Sequence, residues 1–393
     1  MGSCLLAVCC LIACGDNEPV SQPSADLDIG RRFVADADFR RSSLETSLAV
    51  ADNGDARLRL ARYARPGEWE DLPVLDVEIA PIFAGAAPVF ERLDPAEIEW
   101  GSEALIALGR LAFEAWPAQR APSLTPLLGS PTGTPDPERL ATSGAWRDDR
   151  DRLGGFVWAR YADGTAEPAL SCASCHARPD SAGRLIHGAA SDFDWGALVG
   201  EAWGPGRVDV TSDGMNNPVA IPDLRATRHQ RRLHHTGNLY NSVAALAVRT
   251  ETLLITARAE AVRPPREIAF ALAYYVWSLG GDTAPTTEVP SRAFREHCGS
   301  CHFDPTGAGD VVPLAVVGID GAAARSPMRG SAGYRAPSLY RVTLRARLTH
   351  EGWPLTLAQF LDPERTALYP GHAFGLELGA EERAELVREL SQR

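Results

Sequence analysis

The chain carries Cys298-Gly-Ser-Cys301-His302 and an echo of it at Cys172-Ala-Ser-Cys175-His176. C-x-x-C-H is the attachment signature of a c-type haem. Two thiols at this spacing can reach two vinyl groups on one porphyrin edge, and the histidine that follows can coordinate the iron from below. A lone C-x-x-C also serves as a zinc or dithiol pair, but here histidine follows directly, twice. The expected cofactors are two covalently bound haem c groups. Cys172, Cys175, Cys298 and Cys301 would hold them, with His176 and His302 as the proximal iron ligands.

The sixth iron position decides the role. His/Met ligation raises the potential, His/His lowers it, and an open position can bind oxygen or peroxide. Three residues compete for the second haem. Met328 follows His302 too closely to wrap easily to the far face, whereas His350 and His372 come later. His372, in Gly371-His372-Ala-Phe374-Gly375, leaves the chain room to cross over and is favoured. The candidates for the first haem are His187, His234, His235 and Met215, and they stay open. At most one of the adjacent pair His234-His235 can reach an iron. His187 and His229 read as structural or exposed, and His297 as pointing away from the porphyrin. Trp195, Trp203 and Trp277 could relay electrons, although buried core is the commoner fate of tryptophan.

The elements that must position these groups follow from periodicity. Residues 30–90 look β-rich: Ala56 to Tyr63 alternates apolar and basic residues, and Val74 to Ile82 is a second strand candidate. Ser102 to Ala115 is the first good helix, and Pro122 to Pro137 reads as a loop. Gly155 to Tyr161 reads as a strand, Asp163-Gly164 as a turn, and an extended Pro168-Ala-Leu leads straight into Cys172. Helices are expected after Ser242, from Pro264 to Leu279, from Ser291 into Cys298, and over Glu381 to Leu390.

At 45% hydrophobic and 23% charged residues the composition is that of an ordinary globular protein. The net charge of −12 argues against nucleic acid and anionic lipid headgroups as partners. The basic side chains are all arginine. Four of the eight cysteines form the two motifs and four lie at positions 4, 9, 10 and 14, so none remains for a structural disulfide in the body. Met1 to Ala13 is apolar and too short to span a bilayer. It ends Leu11-Ile12-Ala13-Cys14-Gly15, which is similar to a bacterial lipobox with Cys14 as the lipidated residue. Export to the periplasm or cell envelope, with a lipid anchor at Cys14, is the expectation. It agrees with haem attachment outside the cytoplasm.

Phe294 to Leu390 resembles the C-terminal domain of the bacterial di-haem cytochrome c peroxidases and their relatives, which include the di-haem rubber oxygenases. The likeness lies in Val317-Gly318-Ile319-Asp320, Ser326-Pro327-Met328-Arg329-Gly330, Tyr334-Arg-Ala-Pro337-Ser338-Leu339, Leu348-Thr-His350-Glu-Gly352 and Gly371-His372-Ala-Phe374-Gly375, in that order. Ala104 to Trp116, Ala169 to His176 and Trp203-Gly-Pro-Gly-Arg207 resemble the N-terminal half of the oxygenase-like members. The resemblance implies that His372 is the distal ligand of the C-terminal haem and that His350 lies near the interface between haems. Relatives also use methionine or tyrosine as distal ligand, so a histidine there implies lower-potential behaviour.

The resulting expectation is a mainly α fold, with two cytochrome c-like haem domains and a small β-containing N-terminal region. The segments would be a signal peptide at 1–13, a tether at 14–29, an N-terminal region at 30–137, a first haem domain at 138–281, a linker at 282–290 and a second haem domain at 291–393. The expected function is an exported di-haem cytochrome that transfers electrons to an unidentified redox partner protein, with peroxidase-type chemistry as an option at the first haem. A pure carrier with both irons six-coordinate, and oxygenase-like cleavage of an apolar substrate, are the alternatives.

Overall fold

The computed structural model describes residues 23–83, 86–95, 98, 100–128, 143–199, 201–211, 213–281, 290–319, 321–345 and 347–393. The expected signal peptide, Cys14 and all but the last residue of the linker lie outside these residues.

The N-terminal segment departs from the expected strands. Helices α1 (Pro23–Ala35), α2 (Ala37–Ser47) and α3 (Gly54–Arg62) occupy it. The last seven residues of the expected tether therefore belong to α1. Asp36 caps α2 by accepting the Phe39 N–H, and Asn53 caps α3 by accepting the Ala56 N–H. Ala56 to Arg62 is helical, with Arg57 and Arg62 exposed and Arg59 turned into the core. Arg59 is buried, pairs with Asp55 one turn earlier and donates from Nε to Thr252 Oγ1 at 3.0 Å. A buried, partnered arginine reads as polar in an alternation pattern while it packs as core.

Strand β1 (Val77–Phe83) does form, close to the expected place. It pairs antiparallel with β3 (Arg152–Tyr161) in a sheet whose order is β1, β3, β4 (Ala166–Leu170), β2 (Gln119–Arg120). Side chains alternate across β3 with period two. Val157 and Ala159 face the helices, while Phe156 and Trp158 face a second core with Leu124, Leu153 and Phe193.

The helical side of the sheet is built by α4 (Ser102–Ala115), α5 (Val243–Thr256) and α6 (Arg266–Ser278). Gly109 lets α4 lie directly on α6, because a Cβ there would sit 2.1 Å from the Ala271 carbonyl oxygen. Phe33 of α1, Leu44 of α2, Phe113 of α4, Ile255 of α5 and Phe270 of α6 share one core with β1 and β3. One core thus joins residues from the N-terminal helices to α6. The C-terminal part has its own small core of Phe294, Val342, Leu357, Leu361, Leu386 and Leu390. It is carried by α7 (Arg292–His297), capped by Ser291, and α8 (Ala380–Leu390).

The described residues are 38% helical, with 15% strand in five small sheets, and no cytochrome c-like domain is identified among them. The expectation of a mainly α chain with two cytochrome c-like domains is therefore overturned. The fold is mixed α and β. The physical reason is visible around Cys172. A long hairpin, not a helix, delivers the first motif, and the motif itself is folded against that sheet through the Ser171 N–H to Gly155 carbonyl bond of 2.8 Å.

Candidate functional site

Both five-residue motifs fold as one helical turn. The His176 N–H donates to the Cys172 carbonyl at 2.9 Å, and the His302 N–H to the Cys298 carbonyl at 2.9 Å. Residues three apart on such a turn share a face, so each pair of thiols projects to one side. All four cysteines are free. Burial pushes the Cys172 thiol up to about 12 and the Cys298 thiol up to about 11. A structural zinc site needs thiolates and two further donors. Among the described residues no group of three or more His, Cys, Asp or Glu is gathered to hold a bare ion. A porphyrin brings four nitrogens of its own and asks the protein only for axial donors, so the donor set fits haem better than zinc.

The two motif histidines are oriented alike. His176 Nδ1 meets the Pro222 carbonyl oxygen at 3.1 Å, and His302 Nδ1 meets the Gly307 carbonyl oxygen at 2.6 Å. A carbonyl can only accept, so Nδ1 carries the proton and Nε2 keeps its lone pair. Burial lowers the His176 pKa to about 4 and lowers that of His302 as well, which keeps both rings neutral, the form that binds a metal. A carbonyl holding the second ring nitrogen is the usual support of a metal-ligating histidine.

The second motif opens onto a cavity with about 1500 Å³ of empty volume, part of it continuous with solvent, lined by Cys298, Cys301, His302, His350, Phe360 and His372 among others. His372 faces His302 across it, with ring centroids 6.4 Å apart. His302 and His372 would be the residues to hold the metal of a group bound in this cavity. His372 Nδ1 is buried with no protein partner, and burial lowers the pKa of the ring to about 4.

His372 is held in the left-handed region, at φ +57°. Such strain persists where the surroundings fix it. Buried Arg365 does so: it donates to the carbonyls of Tyr369 at 2.6 Å, Gly371 at 2.7 Å and His372 at 2.6 Å, while the His372 N–H donates to Val317 O at 2.7 Å. Phe360 packs beside the ring at 4.9 Å and Phe374 meets it edge-on at 5.4 Å. Met328 goes elsewhere, against Gly54 at the start of α3. His350 lines the same cavity but lies against the Tyr334 ring, centroids 4.0 Å apart. His297 pairs with Glu377 at 2.6 Å and borders the cavity, where the sequence had it pointing away.

The first motif has no such opposite number. Among the described residues no histidine or aromatic ring is stacked across from His176. His187 bonds the Tyr275 hydroxyl, lies 3.3 Å from Glu114 and stacks on Phe113. Both nitrogens of His234 are engaged, Nδ1 with Asn238 Oδ1 at 2.7 Å and Nε2 accepting from Arg249 Nε at 2.6 Å. His235 Nε2 donates to the Ala220 carbonyl at 2.8 Å, Met215 is exposed, and His229 Nε2 donates to Gly280 O at 3.0 Å. The three tryptophans do not form a chain: Trp195 packs on Phe193, Trp203 donates to Asn216, and Trp277 lies under Arg228.

Sequence reasoning missed two features. One is Arg365, whose role runs through backbone carbonyls and leaves no motif. The other is Ala220 to Asp223, which lines the second cavity while Pro222 holds His176 and the Ala220 N–H donates to His350 O at 2.7 Å. No family model matches the chain, and no curated protein or solved structure matches it.

Proposed function

We propose that the chain is an exported c-type cytochrome that binds two haems covalently and transfers electrons, with its two irons unequally ligated. The observation that carries this reading is His302 facing His372 over a cavity lined by Cys298 and Cys301. Bound there, a haem supplies a one-electron redox centre. The chain's own groups do the rest. Cys298 and Cys301 would hold the edge of the group, Gly307 sets the tautomer of His302, and Arg365 and Phe360 position His372. His176 has the same motif and the same carbonyl support, through Pro222, without a facing ring. It is therefore the place for peroxidase-type chemistry, if the chain does more than carry electrons. The ordered likeness of residues 294–390 to the di-haem peroxidase relatives supports the same reading, as does the lipobox-like segment ending at Cys14 for export and anchoring.

Haem content tests the proposal directly. The holoprotein should hold two haem c per chain by pyridine haemochrome, covalently retained in acid acetone. The pair Cys172→Ala and Cys175→Ala, and separately Cys298→Ala and Cys301→Ala, should each leave one. A chain produced in a haem-ligating host that retains no covalent haem defeats the reading.

A further inference from the structure

Away from both motifs, the start of α3 and the middle of α5 enclose a cluster with more positive charge than the protein neutralises. Arg59 is 2% exposed and Asp55 5%. The Asp55 Oδ2 oxygen takes Arg59 Nη1 at 2.5 Å and Arg329 Nε at 3.3 Å, so one carboxylate serves two guanidiniums. Arg59 also donates from Nε to Thr252, and Thr252 lies one turn along α5 from Arg249. Arg249 directs its Nε at His234 Nε2. That nitrogen must be unprotonated to accept, so His234 is neutral and offers no charge in return.

Among the described residues Asp55 is the carboxylate ion-paired to Arg59 and Arg329, and Arg249 has no ion pair. Glu251, two residues along α5 from Arg249, is committed to Arg266 and Tyr63. The cluster thus holds three guanidiniums and one carboxylate. Arg59 Nη2 and Arg249 Nη1 are buried without a hydrogen-bond partner, as is Asn53 Nδ2 at the cap of α3. A buried charge left uncompensated costs several kcal/mol, and a guanidinium cannot relieve that cost by losing its proton. Burial, then the neighbouring Arg329 and Arg59 charges, press Arg249 well below its ordinary pKa, in the direction that an added anion would reverse. Arg329 is 14% exposed at its side chain, so the cluster reaches solvent there.

We propose that Arg59, Arg249 and Arg329 form a binding site for a small multivalent oxyanion of the phosphate or sulfate type, seated on Arg59 Nη2 and Arg249 Nη1. Tetrahedral oxyanions suit it because guanidiniums bind them through paired N–H bonds and because the net deficit is two charges. The site stands independently of the haem reading, since none of its residues belongs to either motif.

The test is the thermal midpoint of the purified holoprotein in phosphate, sulfate and chloride at matched ionic strength, with ion chromatography of the anions released on denaturation. A ligand that binds only the folded state raises the midpoint with its concentration. The expected result is a rise of a few degrees in millimolar phosphate or sulfate over chloride, or one oxyanion retained per chain through purification. Arg249→Leu should be at least as stable as wild type in chloride and should lose the response. Arg329→Gln, nearer solvent and less demanding of the core, should weaken the response and serves if Arg249→Leu does not fold. Equal midpoints in all three salts with no retained anion overturn the proposal. So does a response that persists undiminished in the variants.

Discussion

The two C-x-x-C-H turns are nearly the same object placed in different surroundings. Each closes with the same histidine N–H to cysteine carbonyl bond, and each aims its histidine with a backbone carbonyl on Nδ1. They differ in what arrives opposite. At His302 a strained loop, clamped by Arg365, brings His372 to 6.4 Å. For His176 the candidates offered by the sequence are engaged elsewhere, His187 with Tyr275 and Glu114, His234 with Arg249 and Asn238. The motif fixes the direction of its two thiols and its histidine, while what lies opposite is set by chain far away in sequence.

Removing His302 should break the comparison most completely. His302→Ala is expected to remove the low-spin haem signal while the His176 haem stays in place. His372→Ala is the sharper cut. One haem, and only one, should pass from low-spin to high-spin in optical and magnetic circular dichroism spectra. An unchanged spectrum means that His372 does not meet the iron.

Arg365→Met asks whether the loop or the ring matters. It strips the donors from four carbonyls, those of Phe360, Tyr369, Gly371 and His372, so a loss of about 3 kcal/mol in denaturant unfolding is expected. Part of the second haem should also turn high-spin although His372 is still present. Full retention of the low-spin signal would show that the clamp is not needed to aim the ring.

A smaller effect comes from acid. His235 is lowered to about 4 by burial and the neighbouring Arg335, and His350 to about 3 by burial and the neighbouring His235. Their folded pKa values lie below the ordinary value near 6.5, so below that pH the unfolded chain binds more protons. The stability these neutral rings allow is complete above about pH 6.5 and is lost as the pH falls toward 4. About 1 to 2 kcal/mol should go over the first pH unit below 6.5. His350→Gln should flatten that slope in thermal midpoints measured against pH. A midpoint that climbs on acidification contradicts the assignment.

How much of this was legible in the sequence differs along the chain. The relative directions of the C-x-x-C-H side chains were readable because one helical turn fixes them. His372 was readable as a preference, from its place before the last helix. The helices at Ser102, Ser242 and Ser291 and the strand at Gly155 were readable from caps, turns and periodicity. Residues 54–62 were not, because buried Arg59 mimics the polar half of a strand pattern. The mixed fold was not readable either. Nothing local says that β1 will pair with β3, some 70 residues on, or that α1 and α2 will pack on α5 and α6. Arg365 escaped because its partners are carbonyls, which every residue has.

Low-temperature EPR of the oxidised holoprotein tests the central claim most directly. If the two sites are unequal as described, equal amounts of two signals should appear: a low-spin rhombic signal from the His302–His372 haem and a high-spin axial signal from the His176 haem. Two high-spin signals would mean that no distal ring closes the second site. Two low-spin signals of equal weight would mean that the first site is closed as well, and the account of the chain as two unlike haem sites would be wrong.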